Sequence, residues 1–211
     1  MFFAPQRFQI LHRQVITDER FHPGPTRWEI THKPEEQSFI DQGYYWMENR
    51  SYRRWMYYSY KLPLKPGEDW VLHTEMELLS SDGLGHYGLV WGYGKDLYNL
   101  NRFTVSADGE RCVVMHFNKD HYVVHHRFHK RMDKPFDTEK ITLTIMKIRN
   151  YYYFMLNKEI LYISEASVFA ADGPYAGYYV EPGLFVRSPC FKAERLITKN
   201  VVAEPTDRFH L

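Results

Sequence analysis

The stretch GLGHYGLVWGYGKDLYNLNRFTVSADGERCVVMHF, residues 83 to 117, indicates the fold of this chain more clearly than any other segment. Alternating residues from Tyr87 to Tyr93 predict a strand, and the glycines inside it are typical of a bulge, a bend or a close approach of another backbone. The tetrapeptide Ala107-Asp108-Gly109-Glu110 is a hairpin signal that joins the run Tyr98 to Ser106 to the run Arg111 to Phe117. The stretch therefore predicts an antiparallel β-meander, and its glycines are interpreted as turns and bends rather than as a ligand-binding loop.

The segment from Asp69 to Leu79 shows the clearest alternation in the chain. One face carries Trp70, Leu72, Thr74, Met76 and Leu78, and the other carries Val71, His73, Glu75 and Glu77. Such a pattern predicts a strand with one face on the core and one face in water. More short strands follow, joined by tight turns at residues 149–150 and 157–158, and helix is expected only as one turn around Glu165 to Ala170. The sequence therefore predicts an all-β, antiparallel fold.

Composition supports this fold class and excludes several functions. Aromatic residues make up 17% of the 211 residues, with 17 tyrosines, and these side chains suit the half-buried surface of a sheet. Since 27 basic residues nearly balance 26 acidic ones, no global field favours nucleic acid or an anionic membrane surface. No run approaches the roughly 18 apolar residues of a membrane span, and the first residues lack a convincing signal-peptide cleavage site. We therefore expect a soluble, cytoplasmic protein with neither a nucleic-acid partner nor a membrane span.

The chain is expected to form one domain with two appendages. Residues 1–24 are interpreted as an N-terminal arm with a first strand, residues 25–197 as a β-sandwich and residues 198–211 as a polar C-terminal tail. The arm could pack on the main body or on another subunit, which makes self-association a second expectation. Cys112 and Cys190 do not make a disulfide framework, so two buried free thiols are favoured over a bond between distant strands.

Several ordered motifs between Thr17 and Ile197 resemble a known family. They are Trp28, Tyr87-Gly88-Leu89-Val90-Trp91-Gly92, Asn99 to Phe103, Ser106-Ala107-Asp108-Gly109 and Phe154-Met155-Leu156-Asn157. The arrangement is similar to a bacterial group of concanavalin A-like, or laminin G-like, jelly-roll domains. This resemblance implies two antiparallel sheets packed face to face, one of them often curved into a groove. Related folds include lectins, carbohydrate-binding modules, glycoside hydrolases and lyases, so the resemblance alone does not choose a function.

Glu75 and Glu77 are the candidate catalytic residues. They lie two apart on one strand, so both side chains project from the same face, and paired carboxylates at a suitable distance can hydrolyse glycosidic bonds. The catalytic pattern that the resemblance implies is glutamate, any residue, aspartate, one or two further residues, and glutamate. This chain reads Glu75-Met76-Glu77-Leu78-Leu79-Ser80 and lacks the third acid. Two charged residues on the wet face of a strand are therefore the simpler interpretation.

A histidine cluster is the candidate metal site. His116, His121 and His125 lie close together in sequence, with His126 and His129 following, and the first three could approach one another across a hairpin. Three converging imidazoles would suit zinc. The alternative is a set of exposed histidines that makes the surface sensitive to pH. Because no cysteine pair or other ligand motif strengthens the pattern, we expect neither a bound metal nor a cofactor.

Aromatic residues supply the candidate ligand-binding surface. Trp46, Trp55, Tyr57, Tyr58, Trp91 and Tyr93 could form a platform on which sugar rings stack, although half or more of them should be core. Residues Trp55, Tyr57, Trp91, Tyr93 and His73 are the predicted ligand contacts. The leading hypothesis is a non-catalytic binding or assembly module that recognises a glycan or a protein partner. The alternative is a carbohydrate-active enzyme that uses Glu75 and Glu77.

Overall fold

The computed structural model describes residues 8–52, 56–64, 67–83, 85–94, 99–118, 123–169 and 173–200, with the side chains of residues 57, 123–127 and 200 outside that description. Nearly all of these residues lie in or between antiparallel strands. The strands are β1 (Phe8–Glu19), β2 (Thr31–Lys33), β3 (Glu36–Asp41), β4 (Tyr44–Asn49), β5 (Met56–Lys61), β6 (Asp69–Ser81), β7 (His86–Tyr93), β8 (Asn99–Ser106), β9 (Arg111–Asn118), β10 (Val123–Arg131), β11 (Ile141–Ile148), β12 (Tyr151–Leu156), β13 (Glu159–Glu165), β14 (Tyr175–Val180) and β15 (Leu184–Asn200).

The strands form two sheets. The larger sheet has nine strands in the order β13-β12-β11-β6-β15-β4-β3-β2, with β1 also paired to β15, and the smaller sheet has six in the order β10-β9-β8-β7-β14-β5. The expected all-β, antiparallel jelly-roll β-sandwich is confirmed. A 3-10 helix, Ala166–Val168, falls within the one helical turn that the sequence predicts. Within the described residues, no helix has the length and apolar character needed to cross a membrane.

The core fills the space between the two sheets. In β6 the predicted alternation is confirmed, because Thr74 and Met76 are fully buried while Glu75 and Glu77 are partly exposed. Opposite them, Trp91 of β7 packs with its ring centroid 5.5 Å from that of Phe154 in β12. Burial of large apolar side chains such as these contributes about 1.5–3 kcal/mol each. The inner faces of both sheets therefore form the core, and a ligand site has to be sought on the outer faces.

Trp28 anchors the segment that precedes β2. Its indole is 3% exposed, and its ring centroid lies 4.9–5.7 Å from those of Phe21, Tyr45, Tyr60, Tyr178 and Phe191. Edge-on and tilted contacts of this kind add to the area that the rings bury. The long connection between β1 and β2 is thus fixed to the core, although it contains little regular structure.

The described part of the N-terminal arm packs on its own chain. Strand β1 pairs along β15 from Phe8 opposite Asn200 to Glu19 opposite Phe191, with two irregularities in register. Residues 198–200, the expected start of the tail, therefore belong to a strand, while residues 201–211 lie outside the described part of the chain. The two cysteines are free and buried, as predicted, with Cys112 in β9 and Cys190 in β15.

Candidate functional site

A β-bulge in β15 sets the geometry of the outer face of the nine-stranded sheet. The register with β6 shifts between Arg187 and Cys190, so that Ser188 points into the core and Cys190 comes opposite Glu75. The Ser188 hydroxyl lies 2.8 Å from the Tyr178 hydroxyl and 2.7 Å from the carbonyl oxygen of Glu75. Bulges of this kind redirect side chains, and here the bulge is held by buried hydrogen bonds.

A row of outward side chains crosses four neighbouring strands next to this bulge. Glu77 of β6 pairs with Arg187 of β15, Arg187 pairs with Trp46 of β4, and Trp46 pairs with Phe39 of β3. The Arg187 Nε donates a hydrogen bond to Glu77 Oε2 at 2.6 Å. Its guanidinium also lies over two rings, 4.1 Å from the Tyr44 centroid and 5.0 Å from the Trp46 centroid. The arginine is therefore held between a carboxylate and an aromatic surface.

Four aromatic rings make up that surface, which we call the aromatic patch: Phe39, Tyr44, Trp46 and Phe185. Trp46 lies at its centre, with ring centroids 5.8 Å from Phe39, 6.1 Å from Tyr44 and 5.6 Å from Phe185. The Trp46 Nε1 donates to the Asp41 carbonyl oxygen at 3.1 Å, which fixes the orientation of the indole. All four residues are partly exposed because they alternate with buried residues along their strands. The patch is thus an ordered apolar surface rimmed by charged groups.

The two candidate catalytic carboxylates lie beside the patch and are both paired. Glu75 Oε2 lies 2.8 Å from Lys140 Nζ, and Glu77 Oε2 lies 2.6 Å from Arg187 Nε. A glycosidase needs one carboxyl group that delivers a proton to the leaving group. Each of these carboxylates accepts a hydrogen bond from a cation.

One cluster of potential metal ligands occurs among the described residues. Nitrogen, oxygen and sulfur atoms of His73, Glu75 and Cys190 all lie within 4.8 Å of one another. His73 Nδ1 is 3.0 Å from Thr144 Oγ1, and burial lowers the pKa of the His73 imidazole despite the nearby Glu75 carboxylate. Burial also raises the pKa of the Cys190 thiol. An ion bound here would have to deprotonate Cys190 and compete with Lys140 for Glu75, so the three residues are not interpreted as a metal site.

The predicted aromatic ligand contacts occupy different places. Trp91 is 2% exposed and lies in the core against Tyr152 and Phe154, so its ring cannot stack on a sugar. Tyr93 is 1% exposed and stacks on Tyr175 in a cluster on the smaller sheet. Both rings are buried, Trp91 in the core between the sheets and Tyr93 in a separate apolar cluster on the smaller sheet, so neither has the exposed face that the expectation from sequence required.

Of the remaining predicted ligand contacts, only His73 has a described side chain. Trp55 lies outside the described residues, and Tyr57 lies in β5 with its side chain outside the description. His73 does lie on the outer face of the larger sheet, two residues before Glu75. Sequence reasoning named Trp46 but missed Phe39, Tyr44 and Phe185. The two-residue period of a strand, which puts Tyr44 on the same face as Trp46, was the signal available for Tyr44.

One described member of the histidine cluster, His116, does not lie on the surface. His116 is 2% exposed, and its Nδ1 lies 2.9 Å from Asn101 Oδ1. This burial corrects the expectation of an exposed histidine, since His116 alternates with outward residues of β9 and faces inward. His125 does pair with His116 across the hairpin, but its side chain and the whole of His121 lie outside the described part of the structure.

Comparisons with known proteins agree on the fold. No protein-family model matches the sequence, and no curated protein matches it. The chain is similar to the CBM2 module of the evolved Dit of Lactobacillus casei BL23 phage J-1, with 12% identity, a TM-score of 0.60 and coverage of 91% of this chain and 98% of that one. An endo-β-1,3-glucanase from Pyrococcus furiosus is 6% identical with a TM-score of 0.61, covering 92% and 97%.

A third similar structure is a protein of unknown function with a galectin-like fold from Bacillus subtilis. It is 9% identical with a TM-score of 0.60, and the match covers 90% of this chain and 99% of that one. At such identities the likeness is one of fold alone. At this level the chain shares a jelly-roll β-sandwich fold with the similar carbohydrate-binding module and glucanase.

Proposed function

We propose that the protein is a non-catalytic glycan-binding module whose ligand lies along the outer face of the nine-stranded sheet. The observation that carries the proposal is the aromatic patch with Arg187 and Glu77 at its edge. The apolar faces of sugar rings stack on aromatic side chains, while sugar hydroxyls bond to charged groups at the rim. Both kinds of contact lie within one cross-strand row, so one short oligosaccharide can engage them together.

The pairing of Glu75 and Glu77 favours binding over catalysis. A carboxylate that is already hydrogen-bonded to arginine or lysine is well placed to orient a sugar hydroxyl as an acceptor. The similar folds, among them a carbohydrate-binding module and a β-1,3-glucanase, make polysaccharides the first ligands to test. A protein partner, the other expectation from sequence, has no comparable contact in its favour.

The first prediction concerns Trp46. Affinity electrophoresis of the wild type against a panel that includes a soluble β-1,3-glucan should reveal at least one retarding polysaccharide. Trp46→Ala should weaken that binding about tenfold, because an aromatic contact is worth about 0.5–1.5 kcal/mol beyond its buried area. Trp46→Phe should keep part of the affinity, since it retains a ring. Tyr52→Ala is the control, because Tyr52 is 95% exposed and lies outside the patch.

The proposal is rejected if no polysaccharide retards the wild type, or if Trp46→Ala binds as well as Tyr52→Ala does. The same panel tests the enzymatic alternative. Wild-type protein should release no reducing sugar over a long incubation. Release that disappears in a Glu75→Gln, Glu77→Gln double variant would instead establish a glycoside hydrolase.

A further inference from the structure

A separate pocket lies on the opposite side of the molecule, on the outer face of the six-stranded sheet. Its volume is about 270 Å³, and its lining consists of His86, Arg102, Thr104, Arg111, Val113, Met115, His129 and Glu181. This volume is at the lower end for small-molecule sites. The pocket shares no residue with the aromatic patch, and the proposed glycan-binding surface does not account for its charged lining.

A glycine of β7 lies next to Thr104 of the pocket lining. Gly88 of β7 lies between Tyr179 of β14 and Thr104 of β8. The φ angle of Gly88 is +156°, and a Cβ atom there would lie 2.3 Å from the carbonyl oxygen of Phe103. A side chain larger than hydrogen is therefore excluded at this position beside Thr104.

Glu181 is the one acid in the lining, and its hydrogen-bonding capacity is already used. Its carboxylate accepts from the His86 amide at 2.8 Å and from the Tyr179 hydroxyl at 2.8 Å, and it lies 3.2 Å from His86 Nδ1. Arg102 Nη1 lies 3.5 Å away and also contacts the Tyr179 hydroxyl. Burial alone raises the pKa of Glu181, but the bonds from His86 and Tyr179 outweigh it and lower the pKa. The Glu181 carboxylate is thus held in the wall of the pocket by hydrogen bonds from its protein neighbours.

Three buried polar atoms of the lining make no hydrogen bond. They are Arg102 Nε, Thr104 Oγ1 and His86 Nε2. Thr104 is 1% exposed and the Arg102 side chain 17% exposed, so water screens neither of them well. A buried polar group without a partner costs about 1–3 kcal/mol. Because Arg102 and Thr104 can both donate, the pocket is short of hydrogen-bond acceptors.

Among the charged residues of the lining, arginines outnumber carboxylates, which favours an anionic ligand. Arg102 and Arg111 are the two arginines of the lining and Glu181 is its one carboxylate, while the Asp108 carboxylate beside the pocket also interacts with Arg111 and His86. The Asp108 carboxylate lies in the turn between β8 and β9, where it accepts hydrogen bonds from the Ser106 hydroxyl and the Glu110 amide. We propose that this pocket binds a small ligand through one oxyanion group, either the carboxylate of an acidic sugar or a free inorganic oxyanion.

Isothermal titration calorimetry on the whole chain tests the proposal with four probes. Glucuronate and glucose differ only in the carboxylate, while sulfate and phosphate supply the oxyanion without a sugar. Glucuronate, or one of the inorganic ions, should bind with a Kd of about 1 mM or tighter, and glucose should not. Binding by glucuronate but not by the ions assigns an acidic sugar, and the reverse pattern assigns a free oxyanion.

Two matched substitutions locate the binding. Arg111→Gln removes one positive charge from the lining and should weaken binding at least about fivefold. Arg131→Gln removes the same charge directly across the strand pair, but Arg131 is not part of the lining and pairs with Glu110. It should change the Kd by less than about twofold. Thr104→Val should also weaken binding while leaving the melting temperature equal or higher, because it removes a buried hydroxyl without a partner.

Three results would overturn the proposal. The first is the absence of binding by all three anions, which would mean that the pocket holds water only. The second is equal binding of glucose and glucuronate. The third is an equal effect of Arg111→Gln and Arg131→Gln, which would indicate diffuse attraction to surface charge. Since none of these experiments involves Trp46 or a polysaccharide, they succeed or fail independently of the proposed function.

Discussion

At the scale of single residues, Ser188 holds the outer face of the larger sheet in place. Its hydroxyl lies within 3.0 Å of the Thr74 and Tyr178 hydroxyls and of the carbonyl oxygens of Glu75 and Cys190. Ser188 is fully buried, so no water can replace it in this network. The bulge that it stabilises brings Arg187 between Glu77 and Trp46. One small polar side chain in the core therefore supports the surface on which the proposed function rests.

Ser188→Ala should lower the free energy of unfolding by about 1–3 kcal/mol, because it leaves the buried Tyr178 hydroxyl and nearby carbonyl groups with fewer partners. Urea denaturation followed by tryptophan fluorescence measures the change. Ser167→Ala is the control, since Ser167 makes only a surface contact with Glu165 and should lose less than about 0.5 kcal/mol. Equal stabilities of the two variants would show that the network does not stabilise the bulge.

At the scale of elements, β1 is an edge strand tied to β15 by both backbone pairing and charge. Glu194 of β15 is 6% exposed, and its carboxylate lies 3.1 Å from Arg13 of β1 and 2.8 Å from Lys192. Burial raises the pKa of Glu194, but the hydrogen bonds from Lys192 and Arg13 outweigh burial and lower the pKa below its ordinary 4.5. The ionised carboxylate thus stabilises the folded protein.

This lowered pKa predicts how β1 responds to acid. The stabilisation by Glu194 is complete above its ordinary pKa and is lost as the pH falls through the lower pKa of the folded state. Hydrogen-exchange protection factors of β1 should therefore fall between about pH 5 and pH 3 more steeply than those of β11, which lies away from this pair. In the Glu194→Gln variant, the protection factors of β1 should fall no more steeply with acid than those of β11. Parallel loss of protection in β1 and β11 of the wild type would contradict the prediction.

At the scale of the whole molecule, the sequence predicts local alternation well and long-range pairing poorly. The faces of β6 follow from a period of two, so the outward direction of Glu75 and Glu77 could be predicted. Trp91 could not be assigned to the core, because that depends on which face of β7 meets the other sheet. Arg187 comes beside Trp46 only through the pairing of β4 with a bulged β15, about 140 residues further along the chain. No local sequence pattern predicts a contact between residues so far apart in the chain.

The two sheets share one core, which includes both Trp91 of the smaller sheet and Phe154 of the larger one, and this predicts that they unfold together. Cys112 of the smaller sheet and Cys190 of the larger sheet report on the two halves separately. They are 0% and 3% exposed, and burial raises the pKa of Cys112 to about 12 and also raises that of Cys190. Neither thiol should react with a thiol reagent until the protein opens.

Single-cysteine variants, Cys112→Ala and Cys190→Ala, make the comparison direct. Under native conditions the remaining thiol of each variant should react with Ellman's reagent at the same rate, within about threefold, once the rates are corrected for any difference in stability. In urea the remaining thiol of each variant should react at once, which confirms that the reagent can modify that thiol when the protein is unfolded. If Cys190 reacts more than about tenfold faster, then β15 opens without the smaller sheet, and the aromatic patch would belong to a locally unstable face. Equal rates would place the aromatic patch and the pocket on the smaller sheet on a sandwich that opens only as a whole.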